Sequence, residues 1–322
     1  MSNTVTIKVP ARLHLGFLDL NGGSGRRFGS IGLPLSEPET VVSLARHSAT
    51  LVEGPESGRA ARHLDTLCRA LGIRSHHRLV VEQAIPAHQG LGSGTQIALA
   101  VAAALRTLHD LPLDPAGDAA RLARGMRSGI GIASFAEGGL IVDAGKDAAA
   151  APPPVIARFP FPEEWRVLLM LDRAAEGLHG EAEMEAFRML PPFPQSGVGE
   201  ICRLVLMGVM PALVERDLDA FGAAIATIQQ LIGNYFAPAQ GGVFTSRRVA
   251  ALADRLAKAG AVGIGQSSWG PTGFAFAPSE AAASAMAAAV RDLKPSGTEL
   301  IVVRGRNAGA EIDAAGLGLV GS

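Results

Sequence analysis

The sequence predicts an α+β protein of two domains, and three observations carry that prediction. A chain of 322 residues is long enough for two modest cores, since domains commonly hold about 100–200 residues. Runs that read as strands and runs that read as helices are mixed in both halves, without the strict alternation of a parallel α/β fold. The pattern breaks between residues 145 and 162, where alanines and Pro152, Pro153 and Pro154 cluster, so the boundary falls there and the domains are 1–155 and 156–322.

Taken in order, Val5, Ile7 and Val9 alternate as in a strand, and the period-two pattern resumes over 11–17 after Pro10. That period places Arg12 and His14 on one face and Leu13 and Leu15 on the other. Residues 41–51 and 78–84 also read as strands. Residues 59–71, 96–109 and 114–124 read as helices, the second favoured by its run of alanines. The segment RSGIGIASFAEGGLIVDAG follows, its second half reading as a pair of strands. Past the boundary, 166–171 reads as a buried strand, several helices fill 180–260, and strands at 261–266, 272–276 and 300–303 bracket an Ala-rich helix at 279–293.

Composition is that of an ordinary globular chain, with 48% hydrophobic and 18% charged residues. A formal net charge of -1, from 29 basic and 30 acidic residues, gives no global field toward nucleic acid or an anionic membrane, so any anion site must be local. Cys68 and Cys202 match neither a metal-ligand spacing nor a disulfide framework and read as free thiols of a reducing compartment. The N-terminus lacks the apolar core of a secretory signal, and no uninterrupted apolar run has membrane-spanning length. The expectation is a cytoplasmic protein without nucleic-acid or membrane partners, and a homodimer, the commonest soluble assembly.

The most informative run is IPAHQGLGSGTQIALAVAAAL, an extended segment, a glycine-rich turn and a helix start. That order makes a phosphate site, because Gly90, Gly92 and Gly94 let a ligand approach the backbone while the free amides and dipole of the helix attract negative charge. Ser93 and Thr95 add hydroxyls that can donate hydrogen bonds or help hold a metal. A bare turn with Thr95 as a helix cap is the plainer reading of the same residues. The loop is neither a Walker loop nor a GxGxxG dinucleotide fingerprint.

Pro86, Gly90, Leu91, Gly92 and Ser93 resemble the PxxxGLGSS phosphate loop of the GHMP kinases. VPARLHLGFLDLNGG resembles their N-terminal signature and GIGQSSWGPTGFAF their second glycine-rich loop. The resemblance implies an N-terminal ribosomal S5-like domain and a C-terminal ferredoxin-like α/β sandwich. Two departures argue against kinase chemistry. Gly94 stands where the kinases have a second, magnesium-binding Ser, and SGIGIAS has Gly131 or Ile132 where their Gly-x-Asp places a carboxylate base.

The runs RLHLGFLDLNG, GRRFGSIGL, QGLGSGTQ, RSGIGIASF, GLHGEAE and GQSSWGPT resemble a non-kinase branch, the β-ribofuranosylaminobenzene 5′-phosphate synthases of tetrahydromethanopterin biosynthesis. The resemblance implies a pentosyltransferase that joins phosphoribosyl pyrophosphate to 4-aminobenzoate or 4-hydroxybenzoate, releasing CO2 and pyrophosphate. It implies Mg2+ as the cofactor, with no ATP, nicotinamide or pyridoxal phosphate. A GHMP kinase using ATP with a relocated base, and a non-catalytic phosphometabolite-binding protein, are the alternatives.

On that resemblance the expected catalytic residues are Asp19, His14 and Arg27, with Asp19 and Thr95 at the metal. Expected to bind substrate are Arg12, Arg26, Gln89, Gly90, Leu91, Gly92, Ser93, Gly94, Thr95, Gln96, His179, Gln266, Ser267 and Trp269. Arg12, Arg26 and Arg27 offer planar forks for phosphate or carboxylate. His14, His88 and His179 titrate near neutrality, and Trp269 and Phe28 can stack on an aromatic ring. Glu181 and Glu183 rank below Asp19, because GEAEMEAF also reads as the acidic first turn of a helix.

Overall fold

The computed structural model describes residues 4–23, 25–147, 152–178 and 180–314. The chain begins with a long antiparallel ribbon, β1 (Thr4–Asp19) and β2 (Phe28–His47). Register shifts between Pro10 and Arg12 and between His14 and Gly16 let β1 continue past Pro10 while bending. Then come β3 (Leu51–Glu53), α1 (Ser57–Leu71), β4 (His76–Gln83), α2 (Ser93–Leu108), α3 (Pro115–Arg121), α4 (Ile130–Ala136), β5 (Leu140–Asp143) and β6 (Val155–Phe159).

The second half runs β7 (Arg166–Asp172), α5 (Gly180–Met189), α6 (Gln195–Leu204), a π-turn at Val205–Val209, α7 (Met210–Glu215), α8 (Leu218–Gln240), α9 (Arg247–Lys258), β8 (Val262–Gln266), β9 (Gly273–Ala277), α10 (Glu280–Ala289), β10 (Thr298–Val303) and β11 (Glu311–Asp313). The first sheet has the order β11-β1-β2-β4-β3, with β5 on β2 and β6 on β5. The second has the order β10-β7-β9-β8 with antiparallel neighbours throughout. That order, with α-helical crossovers flanking the β8–β9 hairpin, is the split βαβ arrangement of ferredoxin-like sandwiches.

The two ends of β1 feed different cores. Val5, Ile7 and Val9 pack with Val42 and Leu44 against Ile97, Val101 and Leu105 of α2, whose small alanines let it lie close to the sheet. Leu13 and Leu15 join Ile31 and Leu33 in a larger cluster with Leu169, Phe274 and Phe276 of the second sheet and Phe221, Ile225 and Ile228 of α8. One apolar core therefore spans both sheets. The other face of the second sheet is covered by α9 and α10, through Leu168, Met170, Leu252 and Ala283.

Three local expectations change. Residues 28–40 belong to β2, where Gly29, Gly32, Pro34 and Pro38 hide the strand pattern. Gly32 is required there because a Cβ would stand 2.1 Å from Ile130 Cγ2. Residues 130–136 form a helix, started by Asp143 Oδ2, which accepts the Gly129 amide at 2.9 Å, and the second half of that segment, read as a pair of strands, contributes the single strand β5. Residues 155–159, at the expected boundary, pair with β5, and 311–313 return to pair with β1. The run 195–215 has the length and hydropathy of a membrane span, yet it carries Glu200 and Arg203 and packs Val198, Ile201, Val205 and Val209 into the shared core.

Candidate active site

The loop that ends β4's excursion and starts α2 forms the floor of a cleft of about 500 Å³. Gly90 and Gly92 have φ of 74° and 81°, the left-handed region that favours glycine. A Cβ on Gly90 would lie 2.2 Å from the Ser267 carbonyl oxygen, so the loop presses directly on the β8–β9 turn. No side chain caps α2. The Thr95 and Gln96 amides both donate to the Gly92 carbonyl at 3.1 Å, which leaves the first two amides, of Ser93 and Gly94, without a helical partner.

Four guanidinium groups surround this floor, from Arg12, Arg59, Arg124 and Arg127, and Glu183 is the one carboxylate among the described lining residues. They arrive from β1, α1, the loop after α3 and the loop before α4. Arg12 donates to the Gly90 carbonyl at 2.7 Å, and burial lowers its pKa to about 10, with Glu183 opposing. Burial, reinforced by Arg59, also lowers Arg124, whose Nε has no hydrogen-bond partner. Arg127 makes a two-point pair with Glu183 at 2.6 and 2.7 Å and lies over the Phe187 ring at 5.7 Å.

The glycines make room for these cations on both sides of the loop. A Cβ on Gly92 would stand 3.1 Å from Arg12 Cγ, and one on Gly94 would stand 3.2 Å from Arg124 Nη1. Arg59 pairs with Glu56 at 3.3 Å and Arg127 with Glu183, which leaves the charges of Arg12 and Arg124 as the surplus of the cleft, and that surplus suits a phosphate-bearing ligand. His14 lies in the wall, 3% exposed, its pKa lowered well below the imidazole range by burial, with Arg12 and Arg127 adding to the effect. It is therefore neutral at pH 7. Trp269 lines the same wall, 2% exposed, packed on Phe236 at 4.1 Å and Phe187 at 5.2 Å.

The GHMP kinase N-terminal domain model matches residues 58–139 and the C-terminal domain model residues 209–295. The chain is 35% identical over 322 residues to a β-ribofuranosylphenol 5′-phosphate synthase of Archaeoglobus fulgidus, covering 95% of this chain and 99% of the relative. The chain belongs to the β-ribofuranosylphenol 5′-phosphate synthase family. A member from Methanothermobacter thermautotrophicus is 34% identical, with 94% of this chain and 97% of the relative covered. Among solved structures, homoserine kinase from Cytophaga hutchinsonii superposes with a TM-score of 0.70 over 97% of this chain and 98% of its own, at 16% identity. That likeness establishes the shared GHMP kinase fold.

Within this synthase-family chain, Gly131 and Ile132, the two positions at which the resemblance led us to expect no base, carry no acid. Gly131 is buried, and a Cβ there would meet Thr95 Cγ2 at 3.0 Å, while Ile132 belongs to the apolar core. The structure brings together in the cleft Arg12, His14, Gly90, Gly92, Ser93, Gly94, Thr95 and Trp269 from the expected set, with His88 beside them. Leu91 is core. Gln89 donates to the Ala175 carbonyl at 2.8 Å and Gln96 to the Gly131 carbonyl at 2.9 Å, so both tie the loop to its surroundings. Ser267 accepts the His14 amide at 3.0 Å and donates to the Gly90 carbonyl at 2.7 Å. Gln266 Oε1 accepts the Thr245 amide at 2.7 Å.

Asp19, Arg26 and Arg27 do not line the cleft. Asp19, 8% exposed, accepts the amides of Asn21 and Gly22 at 2.7 and 2.9 Å and shapes the turn that leaves β1. Arg26 donates to the carbonyls of Ala144 and Gly145 at 2.9 Å each. Arg27 donates to the Leu20 carbonyl at 2.9 Å and covers the Phe28 ring at 5.0 Å. His179 lies outside the described residues. Arg59, Arg124 and Arg127 were absent from the expected set; only Arg127 carried a signal, as the first residue of RSGIGIASF.

Proposed function

We propose that this chain transfers the phosphoribosyl group of phosphoribosyl pyrophosphate to the carboxylate-bearing ring carbon of 4-hydroxybenzoate or 4-aminobenzoate. The observation that carries this reading is a cleft with four arginines and one ion-paired carboxylate, with no acid at Gly131 or Ile132, where the resemblance would put a kinase's base. Arg59, Arg124 and the Ser93 and Gly94 amides hold the pyrophosphate arm, and Arg12 and Arg127 hold the 5′-phosphate.

In the reaction the bond from ribose C1 to pyrophosphate breaks and its electron pair leaves with pyrophosphate. The ring carbon forms a bond to C1, and the carbon–carboxylate bond then breaks, its pair restoring aromaticity as CO2 departs. No proton has to be removed at that carbon, which agrees with a buried His14 of lowered pKa and with no unpaired carboxylate among the described lining residues. Glu183 supplies negative charge beside the electron-poor ribose ring.

For magnesium, the cleft offers the Glu183 carboxylate and the Ser93 and Thr95 hydroxyls. Mg2+ characteristically takes one or two carboxylates and completes its shell with phosphate oxygens and water, so this set fits an ion carried in by the diphosphate. Asp19, held in its turn, is not part of that set. When bound, the ion would neutralise charge on the departing pyrophosphate. Free Cys68 and Cys202 accord with work in a reducing cytoplasm.

The test is incubation of the folded chain with phosphoribosyl pyrophosphate, Mg2+ and each acid labelled in its carboxyl carbon. Labelled CO2 and pyrophosphate should appear in equal amounts with at least one acid. Release from neither acid by a chain with an intact thermal transition rejects the reading.

A further inference from the structure

The segment between α3 and α4 carries Arg124 and Arg127 into the cleft, with Met126 and Ser128 beside them. Its two ends are held differently. At the α3 end the Arg124 amide donates to the Ala119 carbonyl at 2.6 Å. At the α4 end the hold is a side chain from another element, Asp143, the last residue of β5. Its Oδ2 accepts the Gly129 amide at 2.9 Å and the Ser128 hydroxyl at 3.4 Å, while its Oδ1 accepts the Gly145 amide at 2.8 Å. Ser128 in turn accepts the Ile130 amide at 3.2 Å. Gly129 has no slack on its other side, where a Cβ would stand 2.6 Å from the Pro153 carbonyl oxygen.

Asp143 is 0% exposed and does not line the cleft. Among the described residues its partners are amides and a hydroxyl rather than a cation, and burial raises its pKa against the lowering effect of those bonds. A carboxylate taken out of water without a cation carries a large desolvation cost, and a short neutral side chain would end β5 with less. What the carboxylate adds is geometry, because its two oxygens clamp two loops in one arrangement through charge-assisted bonds. We propose that Asp143 is a positioning residue for phosphate binding, which fixes Ser128 and Gly129 to the end of β5 and so sets the direction in which Arg127 leaves the backbone. The inference rests on the proposed reaction for the assignment of Arg127 to the 5′-phosphate. Arg127 is the residue before Ser128, and its guanidinium reaches Glu183 and the Phe187 ring of α5, so a small rotation at Ser128 is enlarged at the end of that long side chain. Arg124, held from α3, does not depend on the clamp.

Titration calorimetry of the full chain with ribose 5-phosphate, which carries the 5′-phosphate alone, tests this without requiring turnover. Asp143→Asn keeps the shape of the side chain but exchanges one acceptor oxygen for a donor, and it should weaken ribose 5-phosphate binding about tenfold. In an Arg127→Met background the same change should weaken binding by less than about twofold, since a residue acting through Arg127 has nothing left to position. Affinity for inorganic pyrophosphate, assigned to Arg59 and Arg124, should stay within about threefold, which a general loosening of the fold would not spare. Should Asp143→Asn lose its cooperative thermal transition, Asp143→Ser, which adds no volume, is the second variant. Unchanged ribose 5-phosphate affinity, equal losses with and without Arg127, or parallel losses of both ligands would overturn the proposal. So would a wild type that binds no ribose 5-phosphate, or two variants that both fail to fold. Absence of labelled CO2 with the coupling to Arg127 intact would reject the proposed reaction alone, whereas CO2 release with an unchanged donor KM in folded Asp143→Asn would reject the positioning role alone.

Discussion

Arg124 occupies the space that a side chain at Gly94 would need: a Cβ at position 94 would stand 3.2 Å from Arg124 Nη1 and 4.0 Å from Arg59 Nη1. The absence of a side chain at this position thus admits two guanidinium groups over the first turn of α2.

Gly94→Ser should push the Arg124 fork away from the helix start. We expect pyrophosphate affinity to fall about tenfold, the equivalent of ~1.4 kcal/mol, with little change in thermal stability. Titration calorimetry with pyrophosphate measures it, and unchanged affinity would separate Arg124 from the anion site.

Asp19→Ala should act on folding rather than on chemistry. Its carboxylate accepts two backbone amides in the turn after β1, and losing bonds to a charged acceptor costs about 1.5–3 kcal/mol. Urea unfolding should show that loss while kcat stays within about threefold of wild type. A much larger fall in kcat with unchanged stability would return Asp19 to the reacting centre.

Glu183→Gln removes the carboxylate that pairs with Arg127 and that stands beside the developing cation. We predict a fall in kcat of at least about tenfold with KM for the phosphoribosyl donor nearly unchanged, the pattern of an interaction made mainly in the transition state. A rise in KM alone would reduce Glu183 to orienting Arg127.

Acid should destabilise the chain through His63. Burial, helped by Arg124, Arg59 and Arg62, lowers its pKa from 6.5 to about 4. The unfolded chain then binds a proton between pH 6.5 and about 4 that the folded chain refuses, so stability is complete above that window and is lost as pH falls through it. At about 1.4 kcal/mol per pKa unit the loss approaches ~3 kcal/mol at the acid end. Thermal melts from pH 7 to pH 4 should slope less in His63→Gln, and an equal slope would assign the effect to the other low-pKa histidines, His14, His77 and His109.

Legibility in the sequence followed the range of the interactions. The glycine loop and α2 were readable because strand, turn and helix start are contiguous, and Arg12 with His14 because period two puts them on one face of β1. β2 was readable only from residue 41, since Gly32 answers to Ile130, nearly a hundred residues away in sequence. Arg26 and Arg27 look like phosphate forks in isolation, yet the nearby carbonyls of Leu20, Ala144 and Gly145 take their donors.

By itself the sequence determined the α+β class and the glycine-rich turn that starts α2, both carried by local residue order and backbone freedom at glycine. Tertiary structure decided which charges face the ligand. Arg59, Arg124, Arg127 and Glu183 come from three separate segments, α1, the α3–α4 loop and α5, whose meeting depends on how these pack around β1, and no local pattern encodes that convergence.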